Sequence, residues 1–179
     1  MRLARPVTMP LTLIALTLLG GCTTVGQVPS IRLGSAMLKS ANGLPAGTAQ
    51  LLAVGDQVTL SVAIAGLPQG PHGLHLHAVG LCATPDFASA GPHLNPGGHQ
   101  HGAENPAGSH LGDLPNVTAG SAGAGSGTAQ LKGTRAQIEQ ALFDGDGTAI
   151  MVHADADDYR TDPSGNSGKR IACGVLQRP

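Results

Sequence analysis

The sequence predicts an all-β domain, a sandwich or flattened barrel of short antiparallel strands. From Ile31 onward, short apolar segments alternate with Gly, Pro, Asn and Ser turn material at close spacing, the pattern of antiparallel sheet proteins. Gln57 to Ile64 alternates polar and apolar side chains almost perfectly, which is the period of a half-buried strand. Aromatic residues are nearly absent, with two Phe, one Tyr and no Trp. A core must therefore rest on Val, Leu, Ile and Ala, which suits thin β-layers better than large helices. The 179 residues suffice for one domain.

The chain opens on a segment outside that domain. Arg2 and Arg5 form a basic start, Leu11 to Leu19 is an apolar run, and Leu19-Gly20-Gly21-Cys22 closes it with small residues. These are the parts of an export signal, and the run is shorter than the about 20 residues a membrane-spanning helix needs. Leu-Gly-Gly-Cys resembles a bacterial lipobox, in which the cysteine is lipidated and becomes the new N-terminus. The expected division is a signal peptide over residues 1–21, a lipidated tether over 22–30 and the folded domain over 31–179. Thr23 stands where Asp commonly retains such proteins at the inner membrane, so the expectation is a periplasmic, envelope-anchored protein on the outer membrane. With Cys22 lipidated, the three cysteines leave Cys82 and Cys173 as a pair in a compartment where a disulfide persists.

The elements follow in order. Ile31 to Leu38 and Ala49 to Val54 read as strands, with Asn42-Gly43 and Pro45 to Gly47 as turn material between them. Gln57 to Ile64 is the next strand and Gly66-Leu67-Pro68 ends it. Gly73 to Ala78 alternates again, with Leu74 and Leu76 on one face and His75 and His77 on the other. From Leu81 to about Asn116 the pattern disappears, and so long a structureless loop is uncommon unless functional. Val117 to Leu131, Gly-, Ala- and Ser-rich in its middle, reads as a hairpin with a weak turn. Ala136 to Phe143 reads as a brief helical turn stopped by Gly145-Asp146-Gly147. Thr148 to His153 and Arg170 to Leu176 are the last strands, separated by a polar loop from Ala154 to Lys169.

The formal net charge is −1, with no basic stripe and no run of like charge, which argues against nucleic acid as a partner and against a disordered charged tail. The informative residues are the eight histidines, all between positions 72 and 153. His75 and His77 project from one face of a strand and form a bidentate clamp, a pair that taken alone is also compatible with a structural role. His93, His101, His110 and Asp113 recur in the long loop. Three imidazoles and one carboxylate suit tetrahedral zinc. His153, on a later strand, is free to join His75 and His77, and an all-imidazole set suits copper. Asp144-Gly145-Asp146-Gly147 lacks the spaced acidic ligands of a calcium loop and reads as a turn.

At these residues the chain resembles the copper/zinc superoxide dismutases. His72-Gly73-Leu74-His75-Leu76-His77, Ser89 to Pro96 around His93, His110-Leu111-Gly112-Asp113-Leu114-Pro115-Asn116 and Lys169-Arg170-Ile171-Ala172-Cys173-Gly174 look like that family's successive motifs, in order, over roughly Ile31 to Leu176. The resemblance implies a Greek-key, immunoglobulin-like β-sandwich or flattened barrel of about eight antiparallel strands, with long metal-binding and electrostatic loops. It implies copper held by His75, His77, His93 and His153, and zinc held by His93, His101, His110 and Asp113, with His93 shared. Asp157 matches the carboxylate that orients His75 and His101 from behind. Cys82 and Cys173 match the family's disulfide, and Arg170 matches the arginine that guides and holds the superoxide anion. His72 matches a structural position, and His99 reads as a solvated loop residue. Leu74 replaces the usual Phe. Tyr159 to Ser167 match less well, leaving Arg160 and Lys169 without an assigned role. The implied function is superoxide conversion to oxygen and hydrogen peroxide at one copper and one zinc per subunit. The alternative is a non-enzymatic copper/zinc-binding envelope lipoprotein. Monomer and homodimer both remain open.

Overall fold

The structure is a computed structural model, and it describes residues 29–179. The expected signal peptide, Cys22 and nearly all of the tether lie outside the described residues. Eight strands, β1 (Ile31–Ser40), β2 (Pro45–Val54), β3 (Gln57–Ile64), β4 (Gly70–His77), β5 (Asp113–Ala119), β6 (Gly125–Gln130), β7 (Ala149–His153) and β8 (Arg170–Val175), and one helix, α1 (Arg135–Leu142), make up the regular structure. The strands form one antiparallel sheet in the order β5-β4-β7-β8-β1-β2-β3-β6. The first three make a meander. The chain then crosses to the far end for β4 and β5, returns for β6 and crosses again for β7 and β8, the Greek-key pattern. Its two end strands, β5 and β6, are joined by a turn closed by Gly120 N–H to Ala124 O at 2.9 Å, and they lie side by side without a ladder. The barrel is nearly closed. A Cβ at Gly125 would overlap Thr118 O, so the small residues read as a weak turn serve this close approach.

Several boundaries shift from the sequence reading for local reasons. β2 begins at Pro45 rather than Ala49, because the ladder to β1 accommodates Pro45 beyond a register shift at Leu38/Lys39, and a bulge can take a residue without an N–H. β5 begins at Asp113 and carries Pro115, so the irregular loop is shorter than expected. α1 is a full two turns. Thr134 caps it with its side chain accepting from Gln137 N–H, and Gln137 reaches back to Thr134 N–H, a capping box worth roughly 1 kcal/mol. Ile138 and Leu142 are its buried stripe.

The core forms in two parts, and the division positions the site. Leu74 and Leu76 of β4 and Ile150 and Val152 of β7 point into the barrel with Leu38, Leu51, Leu60 and Ile138. Ala149 and Met151 point the other way, against Phe87, Ala90 and Cys173 in a smaller cluster under the loop. All five residues of β7 are consequently buried, a pattern with no period-2 signature. The same alternation puts His75 and His77 on the outer side of the barrel, where the loops cover them. The Cys82–Cys173 disulfide, with Cα atoms 5.7 Å apart, ties the long loop to β8. Closing a loop of 91 residues corresponds to ~4–5 kcal/mol of chain entropy removed from the unfolded state.

Candidate metal centre

Register brings the ligand candidates together. In the β4–β7 ladder His75 faces Met151 and His77 faces Ala149, while His75 also faces Asp113 across β4–β5 and His153 faces Arg170 across β7–β8. The loop is fastened by a backbone knot: Leu94 N–H donates to Leu76 O at 2.8 Å, Leu76 N–H to Gly112 O at 2.9 Å and Gly112 N–H to Leu94 O at 2.9 Å. His93 thereby lands beside His77, and Asp113 starts β5 beside His75. His75, His77, His93, His101, His110 and His153 are all buried.

Each imidazole is oriented by what its outer nitrogen does, and this fixes the tautomers. His75 donates Nε2–H to Asp157 Oδ2 at 2.8 Å, His77 donates Nδ1–H to Gly91 O at 2.8 Å, and His153 donates Nδ1–H to Gly168 O at 3.2 Å. Their inner nitrogens, His75 Nδ1, His77 Nε2 and His153 Nε2, together with His93 Nε2, are buried without any hydrogen-bond partner. One ligand atom from each of these four residues lies within 4.8 Å of all the others. A single unsatisfied buried acceptor costs about 1–3 kcal/mol, and four convergent lone pairs also repel. A metal cation at their centre satisfies all four, so the donors fit the copper the resemblance implies. The rings are poised for it. Burial, helped by nearby Arg170 and the neighbouring imidazoles, lowers His77 to about 2 and His153 to about 3, and burial lowers His93 to about 4. These three are neutral at neutral pH.

A second cluster adjoins the first through His93. The Nδ1 atoms of His93, His101 and His110 lie 3.0, 3.0 and 3.1 Å from one oxygen, Asp113 Oδ1. His101 donates Nε2–H to Asp157 Oδ1 at 2.9 Å and His110 donates Nε2–H to His99 O at 3.1 Å. In their neutral forms both then turn an Nδ1 lone pair toward a carboxylate, which is repulsive unless a cation sits between. Burial opposes charging His101, yet its hydrogen bonds to Asp113 and Asp157 prevail and raise it to about 9. Without metal, a proton on His101 plays the cation's part. Burial alone would raise both carboxyls. Hydrogen bonds from His101 and His93 hold Asp113 below the usual carboxylate range, and those from His101 and His75 do so for Asp157. Three imidazoles and a carboxylate fit zinc. His75 also lies within 4.8 Å of His93, His101 and Asp113; its Nε2 is taken by Asp157 and its Nδ1 faces the first cluster, so His110 is the better fourth donor.

Asp157 joins the halves from behind, one oxygen on each histidine, and is itself locked. Asn116 clamps its backbone, donating Nδ2–H to Asp157 O and accepting Asp157 N–H on Oδ1, both at 2.9 Å, and Tyr159 N–H donates to Asp157 Oδ1 at 2.7 Å. A Cβ at Gly165 would overlap Asp157 Oδ1, so the loop closes over this carboxylate only with glycine there, at φ +65. His72 spans two carbonyls, His153 O and Pro68 O, each at 2.8 Å, a structural role beneath the site as expected. Exposed His99 contributes its carbonyl to His110 and is bracketed by Asn95. Asp144 Oδ1 accepts from Asp146 and Gly147 N–H, the expected turn. Arg160 pairs with Glu104 at the surface.

Arg170 lies at the edge of the first cluster, half-buried. Its guanidinium donates Nη1–H to Phe87 O at 2.8 Å and Nη2–H to Gly91 O at 2.7 Å. Among the described residues it makes no ion pair; its charge is held in place by neutral carbonyls, and Asp86 is the carboxylate that acts on it through space. Sequence reasoning missed Phe87, Gly91 and Gly168, because a main-chain acceptor leaves no side-chain signal. It also assigned no role to Asn116 or Tyr159, although Asn116 lay inside a quoted motif.

The comparisons with known proteins agree with this geometry. Residues 45–176 match the family model described as copper/zinc superoxide dismutase. A superoxide dismutase [Cu-Zn] of Caulobacter vibrioides is 40% identical over 149 residues, covering 80% of this chain and 84% of that protein. Among solved structures, a superoxide dismutase-like protein from Bacillus subtilis aligns with a TM-score of 0.74 at 34% identity, covering 82% of this chain and 100% of the other. A Cu/Zn superoxide dismutase from Brucella abortus aligns with a TM-score of 0.63 at 29% identity, covering 83% and 100%.

Proposed function

Because the chain belongs to the copper/zinc superoxide dismutase family, we infer that it disproportionates superoxide, two anions and two protons giving one oxygen and one hydrogen peroxide. Copper supplies the one-electron redox chemistry when bound, and zinc supplies a fixed positive charge. His75, His77, His93 and His153 would hold the copper, and His93, His101, His110 and Asp113 the zinc. The four unpartnered buried nitrogens beside an Arg170 held by two main-chain carbonyls are the observation that carries this reading.

The chain's own residues have distinct tasks. Arg170 draws the anion to the mouth of a low-dielectric cleft and orients it there. His93 turns one nitrogen toward each cluster and links them once its ring proton has left. Asp157 keeps the N–H groups of His75 and His101 pointing outward, so that their lone pairs face inward. Gly91 O accepts from both His77 and Arg170, which fixes the anion's receptor relative to a metal ligand. A protein that only stores metal has no use for a half-buried, unpaired arginine at this position. Metal-loaded protein should accelerate superoxide decay well beyond an equal amount of free copper, and failure to do so would sink the enzymatic reading.

The Arg2, Arg5, Leu11–Leu19 and Cys22 pattern supports export and lipid attachment at Cys22, with the catalytic domain in the periplasm on the outer membrane. Cells fed a labelled fatty acid should label the wild type and not Cys22→Ser. Equal labelling would refute the anchor.

A further inference from the structure

We propose that the phenol of Tyr159, the only tyrosine of the chain, is a positioning group for the zinc half of the centre, acting through Asp157. The proposal rests on the reading of the two histidine clusters as metal sites. A bulge in β5 supplies the bond that anchors the phenol. In the β4–β5 ladder His72 pairs with Val117 and Leu74 with Leu114, so Pro115 and Asn116 stand together opposite Gly73. Gly73 sends its own N–H away from β5, to Asp155 O at 2.8 Å. Pro115 has no N–H to place. Asn116 has one, and Tyr159 Oη accepts it at 2.8 Å.

That bond closes a circuit around Asp157. The Asn116 side chain grips the Asp157 main chain from both sides, and Tyr159 N–H donates to Asp157 Oδ1 at 2.7 Å. The phenol returns to the same strand residue, so Tyr159 ties the carboxylate, and not only the backbone, to the barrel. Its backbone is left-handed at φ 62, a conformation a bulky residue adopts only where its surroundings impose it. The turn sends the N–H to Asp157 and leaves the carbonyl to accept Glu104 N–H at 3.0 Å. A Cβ at Gly102 would overlap the same carbonyl, so the metal-binding loop packs directly on Tyr159. The two oxygens of Asp157 differ in their company. Oδ1 takes both Tyr159 N–H and His101 Nε2–H, while Oδ2 takes His75 Nε2–H. Loosening Tyr159 frees the carboxylate at the oxygen that orients His101, so the zinc donors lose more of their aim than the copper donors.

The test compares zinc and copper affinities, by chelator competition, in wild type, Tyr159→Phe, Asp157→Ala and the Tyr159→Phe/Asp157→Ala pair. Tyr159→Phe keeps the ring and deletes only the hydroxyl. It should weaken zinc binding by about tenfold, the low end of the range for lost outer-sphere support, and change copper binding much less. In the Asp157→Ala background Tyr159→Phe should have no further effect on zinc, the non-additivity of residues acting as a unit. A hydroxyl that merely stabilised the fold would lower the Tm of the metal-free protein and either leave zinc affinity unchanged or weaken both metals alike. Either outcome, or additive zinc losses in the pair, overturns the proposal. Coupling is reciprocal, so zinc must also act on the phenol. Tyr159 emits with no Trp to mask it, and zinc titrated into metal-free wild type should change that emission until the site is full. An emission indifferent to zinc overturns the proposal even where Tyr159→Phe fails to fold. Wild type that takes up no zinc sinks the reading of the second cluster and the proposal with it, whereas zinc bound equally by wild type and Tyr159→Phe sinks the proposal alone.

Discussion

Zinc binding to the metal-free protein should expel a proton from His101, and copper binding afterwards should expel one from His93. His101 has a folded pKa raised to about 9 by Asp113 and Asp157, so near neutral pH it is almost fully charged. Zinc held by His101 and Asp113 would displace that proton, because a ligand nitrogen must be deprotonated. His93 is lowered to about 4 and holds a single ring proton. On zinc binding at Nδ1 that proton can shift to Nε2, the nitrogen that faces the first cluster. Copper then displaces it. His77 and His153 arrive neutral and release none. The expected count near pH 7.5 is about one proton with zinc and about one more with copper. The zinc step should fall toward zero as pH rises through about 9. Calorimetric titrations in two buffers of different ionisation enthalpy measure both counts. A zinc step that releases no proton near pH 7.5 refutes the assignment of the charge to His101. A copper step that releases none refutes His93 as the shared ligand.

Other predictions follow from the same contacts. Asp157→Asn replaces an acceptor-only carboxylate with a group whose NH2 must face either His75 or His101, donor against donor. A lost charge-assisted hydrogen bond is worth about 1.5–3 kcal/mol, so metal affinity on that side should fall roughly 10- to 100-fold; chelator-competition titrations that find both metals within about threefold of wild type would contradict it. His153→Ala removes one donor of the first cluster and none of the second. Copper affinity should fall by more than the about hundredfold typical of outer-sphere changes, with zinc content and the circular dichroism spectrum retained, and full activity would show the copper donors misassigned. The metal-free protein should be most stable close to neutral pH. Below it, burial-lowered His77, His93 and His153 are charged in the unfolded chain before the folded one, so stability is lost as pH falls. Above it, the contribution of raised His101 fades as pH climbs through about 9. Denaturant titrations across this range that give a flat profile would refute the linkage.

Much of this molecule can be read from its residues in order. Alternation of Leu74 and Leu76 against His75 and His77 announces a strand with one apolar and one ligating face, because side chains of a strand alternate with a period of two. The histidine spacing, Asp113, the paired cysteines and Arg170 announce the chemistry, since donor type is a property of each side chain and survives without coordinates. What the sequence could not convey is direction. Whether His75 offers Nδ1 or Nε2 depends on Asp157, 82 residues away, and whether Arg170 is free or paired depends on the carbonyls of Phe87 and Gly91. β7 gave no period-2 signal because the barrel covers one of its faces and the disulfide loop the other. The identities of the donors were thus determined locally. The tautomers, the shared position of His93 and the aim of the Arg170 guanidinium were decided only by tertiary structure, because a hydrogen bond needs its partner in place and a main-chain carbonyl becomes a specific partner only where the fold points it.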